Sequence, residues 1–367
     1  MVSLSAEDEL ATFDYALDPA LIAAAPAPAR DRSRLFIYDR KTGKREHRRF
    51  DAIPDLLNPS DLLVLNDSRV FPARLYGKKP GGGAVELLLL RPIGLPELNR
   101  EKGGLLERWE VLVKGKMSLP LELVFEEGVT GSLARELEGG RKEIVFILPE
   151  GGDPDVYAFS ERWGTIPLPP YILKRRGGAD RVDPSDKSRY QTVYAEKRGS
   201  AAAPTAGLHF TAELIEKIKK KGTGVCAVTL HIGLDTFQPI RTERITDHPI
   251  HRERFEVPSS AAEAIEETRK KGGRVVAVGT TSTRALESAA QDDGTIRPGA
   301  GETGLFITPG YRFKAVDALV TNFHLPKSTL LALVSAFAGC EAIREIYQEA
   351  IREKYRFYSY GDAMLIL

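Results

Sequence analysis

Three of the chain's six histidines stand where one run of sequence gives way to another. His209 lies in A-P-T-A-G-L-H-F-T, residues 203–211. Pro204 and Gly207 punctuate a turn there, and Thr211 has the character of an N-cap for an amphipathic helix over 212–221. That spacing predicts His209 at a helix mouth, where outward backbone N–H groups favour anions. His231 opens H-I-G-L-D-T-F after the apolar run 224–230. His324 sits in N-F-H-L-P-K-S-T, residues 322–329, just before a long apolar segment. Imidazole changes charge near neutral pH, so these three are the first candidates for moving protons. Asp67 and Asp235 are the acidic candidates.

Two further clusters suit an anion or a hydroxyl-rich ligand. Asn66-Asp67-Ser68-Arg69 follows the apolar run 62–65, and Gly279-Thr280-Thr281-Ser282-Thr283-Arg284 follows 274–278. Hydroxyls and helix N–H groups together fit a carboxylate, a phosphate or a ribose. Neither cluster is a Walker A loop, since G-K-[ST] is missing, and neither is G-x-G-x-x-G. His248, His251 and Glu253 have a superficially metal-like spacing. Pro249 opposes the helix that would align them and no cysteine is near, so no metal site is expected.

These residues need a frame. Between about 70 and 150 the sequence is short strand-like runs (70–76, 84–90, 108–113, 121–126 and 142–148), separated by K-K-P-G-G-G, E-E-G-V-T-G and E-G-G-R. Such a pattern predicts a small antiparallel β-barrel. From about 155 onward, helical and strand patterns alternate, which predicts an α/β sheet with parallel pairs. Ligands of such sheets bind beyond the carboxyl ends of the strands. The expected architecture is therefore a mixed, partly parallel sheet with flanking helices, built from 1–69 and 154–367, with 70–153 inserted as the barrel. The polar stretch 291–304 reads as a loop, and 362–367 reads as a final strand.

The chain has 367 residues, a net charge of +1, and only two cysteines, Cys226 and Cys340, both in apolar segments. Reduced thiols and no basic, apolar start fit a cytoplasmic protein with no membrane association. Net charge gives no reason to expect a nucleic acid, but 174–198 does: it holds eight Lys or Arg against four acids. Lys174, Arg175, Arg176, Arg181 and Arg189, with Tyr190 interleaved, form a candidate RNA-binding patch.

The blocks N-D-S-R-V-F-P-A-R-L (66–75), P-T-A-G-L-H-F-T (204–211), H-I-G-L-D-T-F (231–237), H-P-I-H-R-E (248–253), G-T-T-S-T-R-A-L-E-S (279–288), T-N-F-H-L-P-K-S-T-L (321–330) and Y-S-Y-G-D-A-M-L-I (358–366) occur in that order. Together they closely resemble the S-adenosylmethionine:tRNA ribosyltransferase-isomerases of queuosine biosynthesis. The resemblance runs from about Phe13 to the C-terminus. It implies an α/β domain with an inserted β-barrel. It also implies an enzyme that moves the ribose of S-adenosylmethionine onto 7-aminomethyl-7-deazaguanine at the wobble position of a tRNA. The products are epoxyqueuosine-tRNA, adenine and methionine. S-adenosylmethionine is then a consumed co-substrate, no further cofactor is expected, and a monomer is favoured.

Carried onto this sequence, the resemblance puts the proton-transfer candidates among the histidines and aspartates above. Arg69, Arg284 and Lys327 become candidates for a carboxylate or phosphate. Thr280, Thr281 and Ser282 become candidates for ribose hydroxyls or the carboxylate, and Phe210, Phe237 or Phe323 for stacking on adenine or facing the sulfonium. Asn66, Ser68, Thr205, Gly207, Gly233, Thr236 and Asn322 complete the expected ligand contacts. Two rival readings are a non-catalytic tRNA-binding module and a metal-dependent hydrolase built on His248, His251 and Glu253.

Overall fold

The computed structural model describes residues 9–99, 103–178, 183–233 and 240–367. Nine strands form the main sheet, in the order Gly299–Thr303, Glu253–Val257, Gly224–Leu230, Leu62–Asn66, Val275–Val278, Ala318–Asn322, Ala363–Ile366, Arg34–Tyr38, Arg45–Arg49. The four central strands, from Gly224–Leu230 to Ala318–Asn322, are mutually parallel. Their carboxyl ends therefore lie along one edge. Antiparallel strands flank them on both sides.

The central strands are mostly apolar, with polar residues near their carboxyl ends, because both faces of the sheet's middle are covered. Leu62 and Val64 enter one core, and Leu63 and Leu65 the other. Helix Ala212–Lys220 closes part of the second core with Leu214, Ile215 and Ile218. It starts at Thr211, whose hydroxyl accepts the Leu214 N–H at 3.1 Å, satisfying a first-turn donor. Helix Thr329–Ala338 starts the same way at Ser328 and packs into the first core. Among the described residues no helix is long and apolar enough to cross a membrane.

A second sheet holds Arg74–Lys78, Ala84–Pro92, Leu105–Val113, Leu121–Val124, Thr130–Glu136 and Lys142–Leu148, with Glu97–Leu98 added at one side. Pairing of Lys142–Leu148 with Leu105–Val113 closes the six long strands into an antiparallel barrel. Trp109, Leu123, Phe125, Leu133 and Phe146 fill it. A Cβ on Gly77 would stand 2.8 Å from Phe125, and one on Gly131 would stand 2.8 Å from Ile144, so both glycines make room for the packing.

Several boundaries differ from the sequence reading. Residues 130–136 form a sixth barrel strand in a region whose first residues read as a turn. Ser68–Val70 pairs with Lys197–Ser200 rather than entering the barrel. Gly299–Thr303, expected as loop, is an edge strand made of small and polar residues. Helix Gly279–Ala289 starts directly at the end of its strand, and the φ of +89° at Gly279 turns the chain out of the strand at once.

Candidate active site

Two adjoining clefts open beyond the carboxyl ends of the parallel strands, and Ile232 and Leu330 line both. The smaller, about 350 Å³, is bounded by Thr205, Thr280, Thr281, Thr321, Asn322 and His324. The larger, about 1020 Å³ with its mouth, has His231, Gly233, Glu253 and Arg284 on the side of the main sheet. Its opposite wall comes from the barrel: Leu90, Arg91, Glu110 and Arg141.

In the small cleft, Thr205 donates to the Asn322 side chain at 2.9 Å, and the Asn322 amide donates to the Tyr358 carbonyl at 3.3 Å. His324 Nε2 lies 2.7 Å from the Thr321 hydroxyl. Its backbone is held as well, by N–H donation to the Tyr347 hydroxyl and by acceptance from Tyr15. Burial pushes the His324 imidazole down to about 3, so the ring is neutral at physiological pH. The Thr281 hydroxyl is buried and has no partner among the described residues.

In the large cleft, His231 is pulled down to about 4, first by burial and then by the charges of Arg254 and Lys197. Its Nδ1 is buried and has no partner among the described residues. The ring lies against Gly199, where a Cβ would stand 2.7 Å from Nδ1. Both clefts thus carry a neutral histidine, the form that accepts a proton. Glu110 bridges Arg91 at 2.7 Å and Arg141 at 2.6 Å. Burial opposes its ionisation, but those donated hydrogen bonds hold its carboxyl below the usual range. Arg141 also donates to His251 at 2.8 Å, and Glu253 accepts from Arg284 and from the Gly233 N–H. His251 and Glu253 of the hydrolase reading are thus tied to cations and backbone. Among the described residues no group of three or more His, Cys, Asp or Glu could hold a metal.

Other candidates lie elsewhere. His209 is 3% exposed, at the end of a 3₁₀ turn over Thr205–His209 rather than at a helix mouth. Its ring nitrogens face the carbonyls of Ala206 at 3.1 Å and Gly361 at 2.9 Å, and it stacks on Phe50 at 5.0 Å. Burial lowers its pKa too. Phe210 and Phe323 are fully buried, packed against other aromatic side chains, which leaves neither ring a face for adenine. Asn66 is internal, bonded to both backbone groups of Leu230. Asp67 accepts from Thr229 at 2.6 Å, and burial raises its carboxyl. Ser68 is fully buried. Ser282 donates to the Val278 carbonyl at 2.8 Å, so its hydroxyl is spent within its own helix. Gly207 is buried beneath Tyr194, whose hydroxyl a Cβ would meet at 2.1 Å. Arg69 points out toward Glu161 at 3.6 Å. Lys327 precedes the helix and pairs with Asp14 at 2.7 Å. Asp235, Thr236, Phe237 and Arg181 lie outside the described residues.

The basic run divides likewise. Lys174 and Arg175 are exposed. Arg176 grips Asp186 through both guanidinium ends, Arg189 bonds the carbonyls of Ala27 and Pro28, and Tyr190 is fully buried. What the sequence did not reveal is the barrel wall: Arg91, Glu110 and Arg141 read as ordinary strand and turn residues. Their alignment depends on pairing between distant strands.

Residues 10–366 match the family model described as "Queuosine biosynthesis protein". The S-adenosylmethionine:tRNA ribosyltransferase-isomerase of Trichlorobacter lovleyi is 48% identical over 97% of this chain and 98% of its own length. The protein of the same name from Symbiobacterium thermophilum is 50% identical over 98% of this chain and 99% of its own. The crystal structure of the S-adenosylmethionine tRNA ribosyltransferase of Thermotoga maritima is similar with a TM-score of 0.54 and 38% identity, covering 97% of this chain and all of that one. With polar strand ends gathered at one sheet edge and a closed barrel facing them, the chain belongs to the S-adenosylmethionine:tRNA ribosyltransferase-isomerase family of queuosine biosynthesis.

Proposed function

We propose that the paired clefts bind S-adenosylmethionine and that its ribosyl group is transferred and isomerised there onto 7-aminomethyl-7-deazaguanine at the wobble position of a tRNA. The observation that carries this reading is the meeting of segments 205, 231–233, 279–284 and 321–330 in two clefts with a shared wall. A sulfonium acidifies the neighbouring C5′ hydrogens. A base removes one, the C4′–O4′ bond breaks as C4′=C5′ forms, and the freed oxygen becomes the C1′ aldehyde as the bond from C1′ to adenine breaks and adenine leaves with a proton. The aminomethyl nitrogen, losing a proton, adds to C4′ and returns the carbanion to C5′, which bonds to C1′ and closes the five-carbon ring. The C1′ alkoxide so formed displaces neutral methionine from C5′ and closes the epoxide, so one proton is released overall. We assign His231 and His324 the taking and return of those protons. Their low pKa values keep them neutral beside a cationic substrate.

The exposed Lys174 and Arg175 are our first candidates in the basic run for meeting tRNA phosphates. We read 70–153 as an inserted unit that supplies the second wall of the cleft, and the chain as a cytoplasmic monomer needing no cofactor. The deciding experiment incubates the protein with S-adenosylmethionine and tRNA carrying the aminomethyl base. Adenine and methionine are expected in equal amounts, with a matching mass gain on the tRNA. Release of neither product, or a tRNA unchanged in mass, defeats the reading. Activity that disappears with a strong chelator and returns with metal would favour the hydrolase alternative.

A further inference from the structure

Arg284 is 8% exposed, yet its Nη2 has no partner among the described residues. The other donors of the guanidinium are fixed. Nη1 donates to Glu253 Oε2, and Nε donates to the Leu305 carbonyl at 3.1 Å. The acceptors come from two different segments, so the fork has one orientation, and the residue lines the large cleft. A buried cationic donor left unsatisfied is costly, and an incoming acceptor relieves that cost. Glu253 meanwhile reaches the other way: its Oε1 accepts the Gly233 N–H at 3.1 Å. One carboxylate therefore ties the arginine on helix Gly279–Ala289 to the chain leaving strand Gly224–Leu230.

Charge narrows the ligand. Glu253 cancels the charge of Arg284, so the pair offers a directed N–H without net positive charge. A carboxylate that carries its own ammonium brings no net charge and needs only the hydrogen bond. Leu305, Leu330 and Leu333 border the same cleft and suit a methylene chain between that end and a sulfonium. We propose that Arg284 receives the carboxylate of the amino-acid end of S-adenosylmethionine. We further propose that Glu253 is a positioning residue which aims Arg284 and sets the chain at Gly233 against the same ligand. This rests on reading the chain as a consumer of S-adenosylmethionine.

The test compares S-adenosylmethionine with its decarboxylated analogue, at saturating modified tRNA, in wild type and Glu253→Gln. Glutamine keeps the volume and an acceptor for Gly233, but it no longer anchors the guanidinium by charge. Wild type is expected to prefer the carboxylated donor about 10- to 100-fold, mainly through KM. Glu253→Gln is expected to shrink that preference to within about threefold, through a KM rise for the carboxylated donor alone. A variant that loses stability without touching this site lowers both donors together and leaves the preference intact. An unchanged preference in Glu253→Gln, or no preference in wild type, overturns the inference while adenine release still supports the activity. If Glu253→Gln does not fold, Arg284→Gln is put through the same comparison with the same deciding outcomes. Absence of adenine from wild type with either donor overturns the underlying reading, and this inference with it.

Discussion

Gly199 and His231 are in contact such that a Cβ on the glycine would come within 2.7 Å of the imidazole Nδ1. The backbone φ of +141° at Gly199 disfavours any side chain as well. Gly199→Ala should displace the His231 ring while leaving the small cleft as it is. Adenine release should fall about 10- to 100-fold, as expected for a proton-transfer group moved by a fraction of an ångström to an ångström. Donor binding, measured by calorimetry, should change far less. Wild-type turnover in this variant would remove His231 from the chemistry.

The three histidines should separate by assay. His231→Ala and His324→Ala should lose about 10²- to 10⁴-fold in turnover. His209→Ala removes a buried ring stacked on Phe50 between two carbonyls, and should cost about 2–3 kcal/mol in urea unfolding. Its turnover per folded molecule should stay within about threefold of wild type. A stable but inactive His209→Ala protein would reverse the assignment.

Acid should weaken the fold through the same buried rings. The folded pKa is about 4 for His231 and about 3 for His324, below the value of 6.5 for an unperturbed histidine. Between those limits the unfolded chain binds protons that the folded chain refuses. Stability is therefore retained above about pH 6.5 and falls as pH drops toward 4 and then 3. Each histidine adds up to about 1.4 kcal/mol per pH unit to that slope. Urea midpoints from pH 7.5 to 5 measure it, and His324→Ala should flatten the slope. Identical slopes in wild type and variant would contradict the pKa assignment.

The exposed and inward members of the basic run should behave oppositely. Lys174→Ala with Arg175→Ala should weaken tRNA binding and make it less salt-sensitive, by about 0.7–0.9 in the log–log slope per lost phosphate contact. Arg176→Ala strands the buried Asp186 carboxylate, so its first effect should be a lower melting temperature. Filter binding across a salt series and thermal melts distinguish the two. Equal affinity and slope in the double variant would move the tRNA surface elsewhere.

The sequence made the framework readable for simple reasons. Strands Leu62–Asn66, Gly224–Leu230, Val275–Val278 and Ala318–Asn322 are covered on both faces, so each is a compact apolar run followed by polar residues. The barrel showed through its Gly-rich turns. Edge strand Gly299–Thr303 did not, because small and polar residues suffice where one side faces solvent. Side-chain direction was the other gap. His209 and His324 have similar local surroundings in sequence. Yet one sits between carbonyls behind the sheet edge, and the other lines a cleft. Arg284 reads from the sequence as a candidate for an anion, whereas its partner Glu253 reads only as part of a metal-like spacing. The pairing of Glu253 with Thr303, which sets that glutamate in the sheet, spans 50 positions.

Among the described residues no backbone hydrogen bond joins a barrel strand to the nine-stranded sheet. The link between the two halves of the large cleft includes Arg91 with Glu302 at 3.4 Å and Arg141 with His251 at 2.8 Å. Such contacts slide and re-form at little cost, unlike a ladder of peptide groups. The aperture can therefore adjust to a macromolecular guest whose reactive base must be swallowed while its bulk stays outside. A sheet running continuously through both halves would have frozen the doorway at a single width.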